Sequence, residues 1–450
     1  MKFNKPLIAS AVALALAAPM SAMATNGYFS HGYGTKSKAL AGGGSALPQD
    51  AMAAATNPAG MAFVGERMDL GVAIFSPHRS YETTGTPTGA CLSATQCTFG
   101  IDNGEVESEN EMFFIPHFGY NWQLDANSTV GLSIYGNGGM NSDYEDGSAT
   151  VGAPVGAVPP GTTFNLPGTF GAGKAGVDLA QLFFNVSYAR KIDAKSSWGV
   201  SAILAYQRFS ADGFGAFAGY STDGAKILNN GYDDATGFGL KLGWQGEVSP
   251  GLTLAASYQS EINMSEFDEY AGLFAEDGDF DIPATWTLGL AYDTGANGTV
   301  TFDVQNIAYS DIAAIANPLF PNLGQFLAGD FNSGFGGSNG PGYGWEDMTI
   351  YKLGYQWSTS PQWTWRVGYS TTDQPIPDSE VMLNITAPAV VEDHFTFGFT
   401  NKRSANTEFN FAAMYAPEET VTGPNPLDPA QEIEIKMDQW ELEASWGWKF

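Results

Sequence analysis

The C-terminal stretch Trp440-Glu441-Leu442-Glu443-Ala444-Ser445-Trp446-Gly447-Trp448-Lys449-Phe450 decides the fold class. Its apolar side chains occupy every second position, and Glu, Ser, Gly and Lys stand between them. Successive side chains of a β-strand point to opposite faces, so the pattern predicts a strand with one apolar and one polar face. A soluble sandwich would bury the apolar face and would seldom place large aromatic residues so regularly at strand ends.

The same alternation recurs in earlier parts of the chain. The stretches are 182–188, 238–244, 286–292, 363–369 and 409–415. An apolar outer band with aromatic residues at its ends, opposite a polar inner set, is typical of an outer-membrane barrel. Beyond residue 24 no run of 18 apolar residues occurs, so the alternation rather than the hydropathy predicts a membrane protein.

The connections between the alternating stretches support a barrel. We place strands near 67–81, 109–122, 129–138, 176–190, 197–210, 235–247, 252–265, 282–292, 299–310, 347–357, 362–372, 391–401, 406–416 and 437–450. Short turns such as 248–251 alternate with longer connections, of which 139–175 and 311–346 are the longest. Outer-membrane barrels have short periplasmic turns and long external loops. The sequence therefore predicts an all-β fold, a 14-stranded antiparallel transmembrane β-barrel over residues 67–450.

The composition excludes several classes of protein. The 450 residues carry 48 acidic and 19 basic side chains, a formal net charge of -29, which disfavours a nucleic acid partner. An aromatic content of 13% argues against a disordered acidic chain. The 2 cysteines are too few for a four-thiolate zinc site, and the 4 histidines show no metal-ligand spacing. We predict no metal and no cofactor.

The first residues predict export. Lys2 and Lys5 precede the apolar run 7–18, and Ser21-Ala22-Met23-Ala24 fits a signal-peptidase site. The run is too short for a spanning helix of about 20 residues. Residues 1–24 are therefore predicted to be a signal peptide, cleaved after Ala24.

Residues 25–66 do not alternate and are predicted to form a small, partly helical N-terminal hatch inside the barrel. Pro48 and the alanines of 51–56 favour one short helix, which Pro58 ends at Asn57. A flexible periplasmic tail is the alternative, but this segment is more apolar than a solvated tail requires.

The chain resembles the FadL-type long-chain fatty-acid transporters of Gram-negative outer membranes, the OmpP1/FadL/TodX family. The resemblance rests on the order and spacing of short motifs at 26–29, 38–42, 57–59, 130–135, 237–239, 257–260, 282–284 and 288–292, and on the terminal Phe450. It implies an outer-membrane transport protein, not an enzyme, for long-chain fatty acids or related hydrophobic molecules. The family also contains importers of aromatic hydrocarbons, which remain the alternative. A general porin and a barrel hydrolase are weaker rivals.

Apolar external loops are the first candidate for substrate binding. Each methylene that leaves an apolar site for water costs about 0.8 kcal/mol, so a long acyl chain needs a continuous apolar path. The resemblance implies that the loops after strands five and nine form a capture groove. The candidates are Phe214, Phe217, Leu319, Phe320, Leu323 and Phe326, with Tyr28 and Phe29 of the hatch. The alternative is that these loops only pack against each other.

The second candidate is a break in the third strand. The run Gly136-Asn137-Gly138-Gly139 weakens strand pairing and favours a bulge, although an ordinary strand end gives the same pattern. The resemblance implies that this segment bends inward and opens a lateral gate into the bilayer. The hatch motif Asn57-Pro58-Ala59 is a further part of the resemblance.

A cationic side chain could bind a substrate carboxylate. Alternation points Lys241, Lys352 and Arg366 inward, whereas the resemblance points to Arg208. Strict alternation places Arg208 on the outer face, so its assignment as a ligand-binding residue requires a bulge or a strand end. The alternative is that all four side chains merely balance acidic groups.

The remaining expectations concern partners. Cys91 and Cys97 lie in the first external loop, and in an oxidising compartment they are predicted to form a disulfide. We expect a monomer in contact with outer-membrane lipid and lipopolysaccharide. Its C-terminal strand would engage the barrel-assembly machinery.

Overall fold

Fourteen strands form a closed antiparallel barrel in the computed structural model, which describes residues 25–89, 91, 97–153, 162–295 and 297–450. The strands are β1 Arg67–Thr84, β2 Phe113–Gln123, β3 Ser128–Asn141, β4 Gly176–Lys191, β5 Ser196–Asp212, β6 Asp233–Ser249, β7 Leu252–Gln259, β8 Thr285–Asp293, β9 Gly298–Ile307, β10 Met348–Ser358, β11 Trp363–Thr371, β12 His394–Lys402, β13 Thr407–Pro424 and β14 Glu432–Lys449. Each pairs with its neighbours in the chain, and β14 closes the ring on β1. The predicted fold class is confirmed. The predicted signal peptide, 1–24, lies outside the described residues.

The helices are short and lie between the strands or before them. They are α1 Thr35–Lys38, α2 Ala53–Thr56, α3 Ala275–Gly278, α4 Ala313–Ala316, α5 Asn322–Leu327 and α6 Val381–Asn384, with 3-10 turns at Pro58–Phe63, Phe214–Tyr220, Gly224–Ile227, Asp268–Tyr270, Tyr309–Asp311, Phe331–Ser333 and Asp378–Glu380. Shorter strands lie at Phe99–Ile101, Gly104–Glu107, Ser148–Gly152, Thr163–Pro167 and Asn263–Met264. No helix among the described residues is both long and apolar enough to cross a bilayer.

The side chains of β14 show how the alternation is used. Leu442 is 41% exposed on the outer face, whereas Glu441 and Glu443 are each 2% exposed on the inner face. Towards the external end of β14 the inner positions are apolar: Ile435 and Met437 stand there and are fully buried. The inner face of β14 is therefore polar in its periplasmic half and apolar in its external half.

Residues 25–66 pack against inward-facing side chains of the strands. Lys36 lies 2.5 Å from Glu408 of β13, and the amide of Ala51 donates to Asp69 of β1. Glycines on the inner face admit this segment: a β-carbon at Gly199 would lie 2.5 Å from the carbonyl carbon of Pro58. The expected short helix is α2, and α1 is an additional one.

Two strands extend further outward than the alternation suggested. β13 continues to Pro424 and β14 begins at Glu432. The alternation did not reveal these extensions, because beyond the apolar band their outer positions carry charged instead of apolar residues. Lys436 holds this ribbon against β1, since its ammonium nitrogen lies 3.0 Å from Glu82 and 3.1 Å from Glu434.

Candidate substrate-binding site

A cavity of about 720 Å³ lies among the external loops. Its lining comes from five connections of the barrel and consists of Cys97, Thr98, Phe99, Val151, Gly152, Leu166, Gly171, Ala172, Gly215, Ala216, Phe217, Tyr220, Phe320, Leu323, Leu327, Pro426, Leu427 and Pro429. Among these described lining residues none carries a formal charge. The cavity can therefore hold an apolar molecule of substantial size and offers a charged group no ionic partner.

The loop between β9 and β10 forms one wall. Leu323 and Leu327 are four residues apart on α5, so both reach the cavity from the same side of the helix. Leu319 is 1% exposed behind them, where its amide donates to the Glu380 carboxylate at 2.8 Å. Phe326 packs beside Tyr220 with a ring separation of 6.3 Å. Phe320 and Leu323 thus line the cavity, while Leu319 and Phe326 support it.

The loop between β5 and β6 forms the facing wall. Phe217 lines the cavity, and its ring centre is 5.6 Å from that of Phe170. Phe214 is 2% exposed and packs against both Phe170 and Phe217, at ring separations of 5.8 Å and 6.3 Å. The two loops named from the sequence therefore meet around one cavity.

A third wall was not predicted. Phe99–Ile101, Ser148–Gly152 and Thr163–Pro167 form a three-stranded sheet whose inner side contributes Phe99, Val151 and Leu166 to the cavity. Each strand is too short to show a periodic signal within a long loop. Cys91 and Cys97 are joined in a disulfide beside this sheet, and Cys97 reaches the lining.

Tyr28 and Phe29 lie deeper, in a buried aromatic cluster. The ring of Tyr28 is 5.2 Å from Tyr309, 6.0 Å from Trp345 and 6.1 Å from Phe280. The Tyr309 hydroxyl donates to the Asn26 carbonyl at 2.6 Å and accepts from the Tyr28 amide at 3.1 Å. Both predicted hatch residues are therefore covered by other aromatic side chains and do not line the external cavity.

The glycine-rich run of β3 contains a bulge. Its pairing with β4 shifts register between Gly136 and Gly138. The pairing of β3 with β2 covers only Thr129 to Tyr135. Beyond it the hatch takes over this edge, because the Ser30 amide donates to Asn137 at 2.9 Å and the Gly139 amide donates to Tyr28 at 2.8 Å. The external half of β3 has thus left β2.

Residues 11–436 match the family model described as outer membrane protein transport protein (OMPP1/FadL/TodX). The chain belongs to the OmpP1/FadL/TodX family. It is therefore an outer-membrane transport protein for hydrophobic compounds, and its family consists of transporters and not of enzymes.

Solved structures of similar fold include two toluene transporters and a FadL homologue. The toluene transporter TodX of Pseudomonas putida is 17% identical, with 93% of this chain and 99% of that chain covered and a TM-score of 0.61. A FadL homologue of Pseudomonas aeruginosa is 16% identical, with 94% and 100% covered and a TM-score of 0.64. The toluene transporter TbuX of Ralstonia pickettii is 16% identical, with 93% and 99% covered and a TM-score of 0.58. No curated protein matches the chain.

Arg208 does not reach the interior of this OmpP1/FadL/TodX barrel. The described pairings of β5 with β4 and β6 run through Arg208 without a register shift, so the bulge that an inward Arg208 requires is not there. Its guanidinium carbon lies 4.2 Å from the ring centre of Tyr232, and its Nη2 lies 3.9 Å from Asp178. The assignment of Arg208 to a lumenal substrate carboxylate is therefore wrong in this structure, because alternation outweighs the family resemblance here.

The three inward cations contact the hatch and not the cavity. Lys241 donates to the Ala55 carbonyl, and Lys352 donates to the His31 carbonyl at 3.0 Å. Arg366 donates to Gln49 at 2.7 Å. They fasten the hatch of this family member and leave the external cavity without a cation.

The hatch motif Asn57-Pro58-Ala59 acts as a local clamp. The Asn57 side chain donates to the carbonyls of Ser45 and Trp244, each at 3.2 Å, and accepts from the Ala59 amide at 3.1 Å. One side chain thus caps the 3-10 turn Pro58–Phe63 and ties it to β6. Within the described ranges, no three His, Cys, Asp or Glu side chains are arranged to hold a metal ion.

Proposed function

We propose that this family member takes up an uncharged hydrophobic molecule in the external cavity and releases it sideways into the outer membrane. The observation that carries the proposal is the separation of β3 from β2 beyond Tyr135, at the level of the apolar outer band. Phe114 of β2, in the separated stretch, is 47% exposed on that band. An opening there would lead into lipid, so the substrate would avoid the aqueous periplasm.

The buried aromatic cluster supports a path between the two ends. Phe209, Phe274 and Phe280 follow one another at ring separations of 4.7 Å and 4.8 Å. Phe280 contacts Tyr28, which neighbours Phe29 at the bulge. A molecule that displaces these side chains in turn keeps apolar contacts throughout, and a water-filled pore would cost it about 0.8 kcal/mol per methylene. Tyr28 and Phe29 are thereby proposed as the last ligand-binding residues before the gate Gly136-Asn137-Gly138-Gly139.

The charge of the lining supports an uncharged substrate. A carboxylate in the cavity would find no cationic partner among the described lining residues, and the chain as a whole carries a net charge of -29. Aromatic or aliphatic hydrocarbons are uncharged, so they need no cationic partner and are not repelled by the net negative charge. A long-chain fatty acid is the second candidate, because its tail fits the same apolar lining when its head remains in water.

A cross-link across the separated strands tests lateral release. A β-carbon at Gly136 would lie 3.2 Å from Cγ2 of Ile115, so cysteines at these two positions can bridge β2 and β3. We expect Ile115→Cys with Gly136→Cys to lose uptake of radiolabelled toluene after oxidation and to keep it as single variants. The matched control is Tyr120→Cys with Leu132→Cys, which bridges the strands where they are already paired. Unchanged uptake in the oxidised Ile115 and Gly136 variant would refute lateral release.

The hatch role of residues 25–66 is part of the proposal. Contacts of this segment with strands on several sides of the barrel support a plug, and a plugged barrel should be nearly impermeable to small sugars in liposome swelling. A monomer with lipid and lipopolysaccharide around it, assembled through β14, remains our expectation. Sedimentation of the detergent-solubilised protein tests the monomer.

A further inference from the structure

A second, much smaller cavity lies between the hatch and the strands β6 to β10. It measures about 30 Å³, and its lining includes Lys241, Lys352, Gln259, Thr285 and Thr287. Lys241 is 5% exposed and Lys352 is 4% exposed, so two ammonium groups are buried around one small space.

Neither ammonium group forms a close ion pair with a described carboxylate. Lys36 and Lys38 of the hatch lie within 3 Å of carboxylates. In the described part of the chain, by contrast, no carboxylate oxygen lies within 4 Å of the Lys241 or Lys352 nitrogen. Asp303 lies directly opposite Lys352 on β9, and its oxygens also accept from the amide and hydroxyl of Ser45, both at 3.0 Å. Lys241, in contrast, has no carboxylate beside it among the described residues.

The donors around the cavity are not used up by the protein. Lys241 donates to one carbonyl, that of Ala55, and Lys352 donates to the His31 carbonyl and to Gln305. An ammonium group has three donors. Gln259 is 3% exposed and its side-chain nitrogen has no partner among the described atoms. Two donors of Lys241, one of Lys352 and both of the Gln259 amide therefore lack a described hydrogen-bond partner.

We infer that this cavity binds one small monovalent anion, such as chloride, between Lys241 and Gln259, which are cross-strand neighbours on β6 and β7. An unpaired buried charge is strongly unfavourable, and a buried anion offsets it. A volume of about 30 Å³ accepts one or two groups of the size of water but not the chain of a hydrophobic substrate. The anion thereby links Lys241, which donates to the Ala55 carbonyl of α2, to Gln259 of β7.

Anion exchange at constant ionic strength tests the site in the purified full-length mature protein. We expect the unfolding midpoint to fall by about 2 °C or more when sodium chloride is replaced by sodium gluconate, because gluconate is too large for the cavity. Bromide should restore the midpoint. Equal midpoints in chloride, bromide and gluconate would overturn the inference, whatever the variants do.

Substitutions locate the effect. Lys241→Met should abolish the difference between chloride and gluconate, and Gln259→Leu should reduce it. Lys195→Met is the control: its side chain is 58% exposed in a turn and pairs with Glu247, so this variant should keep the full difference. A difference that survives in Lys241→Met would place the anion elsewhere and refute the assignment. Anomalous scattering from a bromide-soaked crystal should show an ion in contact with the Lys241 nitrogen.

Discussion

The ammonium nitrogen of Lys38 lies 2.8 Å from each carboxylate oxygen of Glu441, with both side chains buried. Glu443 stands 2.9 Å away on the same side. The hatch is thus fastened by its own cations to β13 and β14. On the opposite wall the polarity is reversed, since Lys241 and Lys352 of the barrel donate to hatch carbonyls.

Removing the Lys38 cation should loosen the hatch. Lys38→Met leaves the buried Glu441 carboxylate without its cation, while Glu443 keeps the Thr35 hydroxyl, and breaking a buried ion pair in this way costs about 3–5 kcal/mol. We expect faster proteolysis of residues 25–66 and measurable permeability to small sugars in liposome swelling. Lys402→Met, at an exposed strand end, should behave like the unmodified protein. A tight, protease-resistant Lys38→Met barrel would show that the ion pair does not hold the hatch.

Bulk at Gly199 should displace the hatch motif. Any β-carbon there meets the Pro58 carbonyl carbon at 2.5 Å and the Ala59 amide nitrogen at 2.6 Å, both backbone atoms that cannot rotate away. Gly199→Val is expected to cost about 1–3 kcal/mol, as overpacking does, and to lower the unfolding midpoint. Gly219→Ala, which meets no atom within 4 Å, provides the comparison and should be neutral.

Polarity in the external cavity should weaken substrate binding. Leu323 is 2% exposed and lines the cavity, so Leu323→Ser removes apolar contacts worth about 2 kcal/mol and should raise the Kd for toluene by about 10-fold or more. Phe331→Ala changes a side chain that is 70% exposed and outside the lining, and should leave the Kd unchanged. Equal affinities in both variants, measured by tritiated toluene binding, would show that this cavity is not the capture site.

The preference of the cavity for an uncharged ligand can be tested with two ligands of nearly equal length. Palmitate and methyl palmitate differ by one negative charge, and the described lining offers no cation to the carboxylate. Methyl palmitate should displace a neutral naphthalene probe at least as well as palmitate does. A clear preference for palmitate would favour the fatty-acid alternative. Arg208→Ala should change neither competition, because Arg208 faces outward.

The external loop between β7 and β8 should be more stable in mild acid. Burial, followed by the neighbouring Asp281 carboxylate, raises the pKa of Asp279 to about 7. In the unfolded loop this pKa is about 3.9, so the folded loop holds the proton more tightly and loses stability as the pH rises from about 4 to about 7. Because Asp279 is partly exposed, the effect should stay below about 1 kcal/mol. Hydrogen exchange of 260–284, corrected for intrinsic rates, should show the pH dependence, and Asp279→Asn should remove it.

The strands could be predicted because the alternation is a local property. Residues two apart in Trp440–Phe450 reveal their common face without reference to any partner. The same rule gave the correct side for Arg208 when the family resemblance suggested the other one. The alternation also pointed Lys241, Lys352 and Arg366 inward, where the structure places them.

The partners of the inward residues could not be predicted, because they are set by closure of the ring. Lys38 and Glu441 are 403 positions apart in the chain. Phe99, Val151 and Leu166 come together only through pairing between different loops, which leaves no period in any one of them. The sequence therefore revealed two walls of the cavity and missed the third.

The seam between β1 and β14 has a consequence for biogenesis. It pairs 18 residues of the first strand with the last 18 of the barrel, from Arg67 opposite Lys449 to Thr84 opposite Glu432. Until that seam forms, β1 presents an open hydrogen-bonding edge, which lipid cannot satisfy. The same final strand delivers Glu441 and Glu443 to Lys38. Pairing of the β1 edge and neutralisation of the hatch cation are thus a single event. A chain truncated before β14 achieves neither. Complete synthesis is therefore a condition for a closed barrel that contains its hatch.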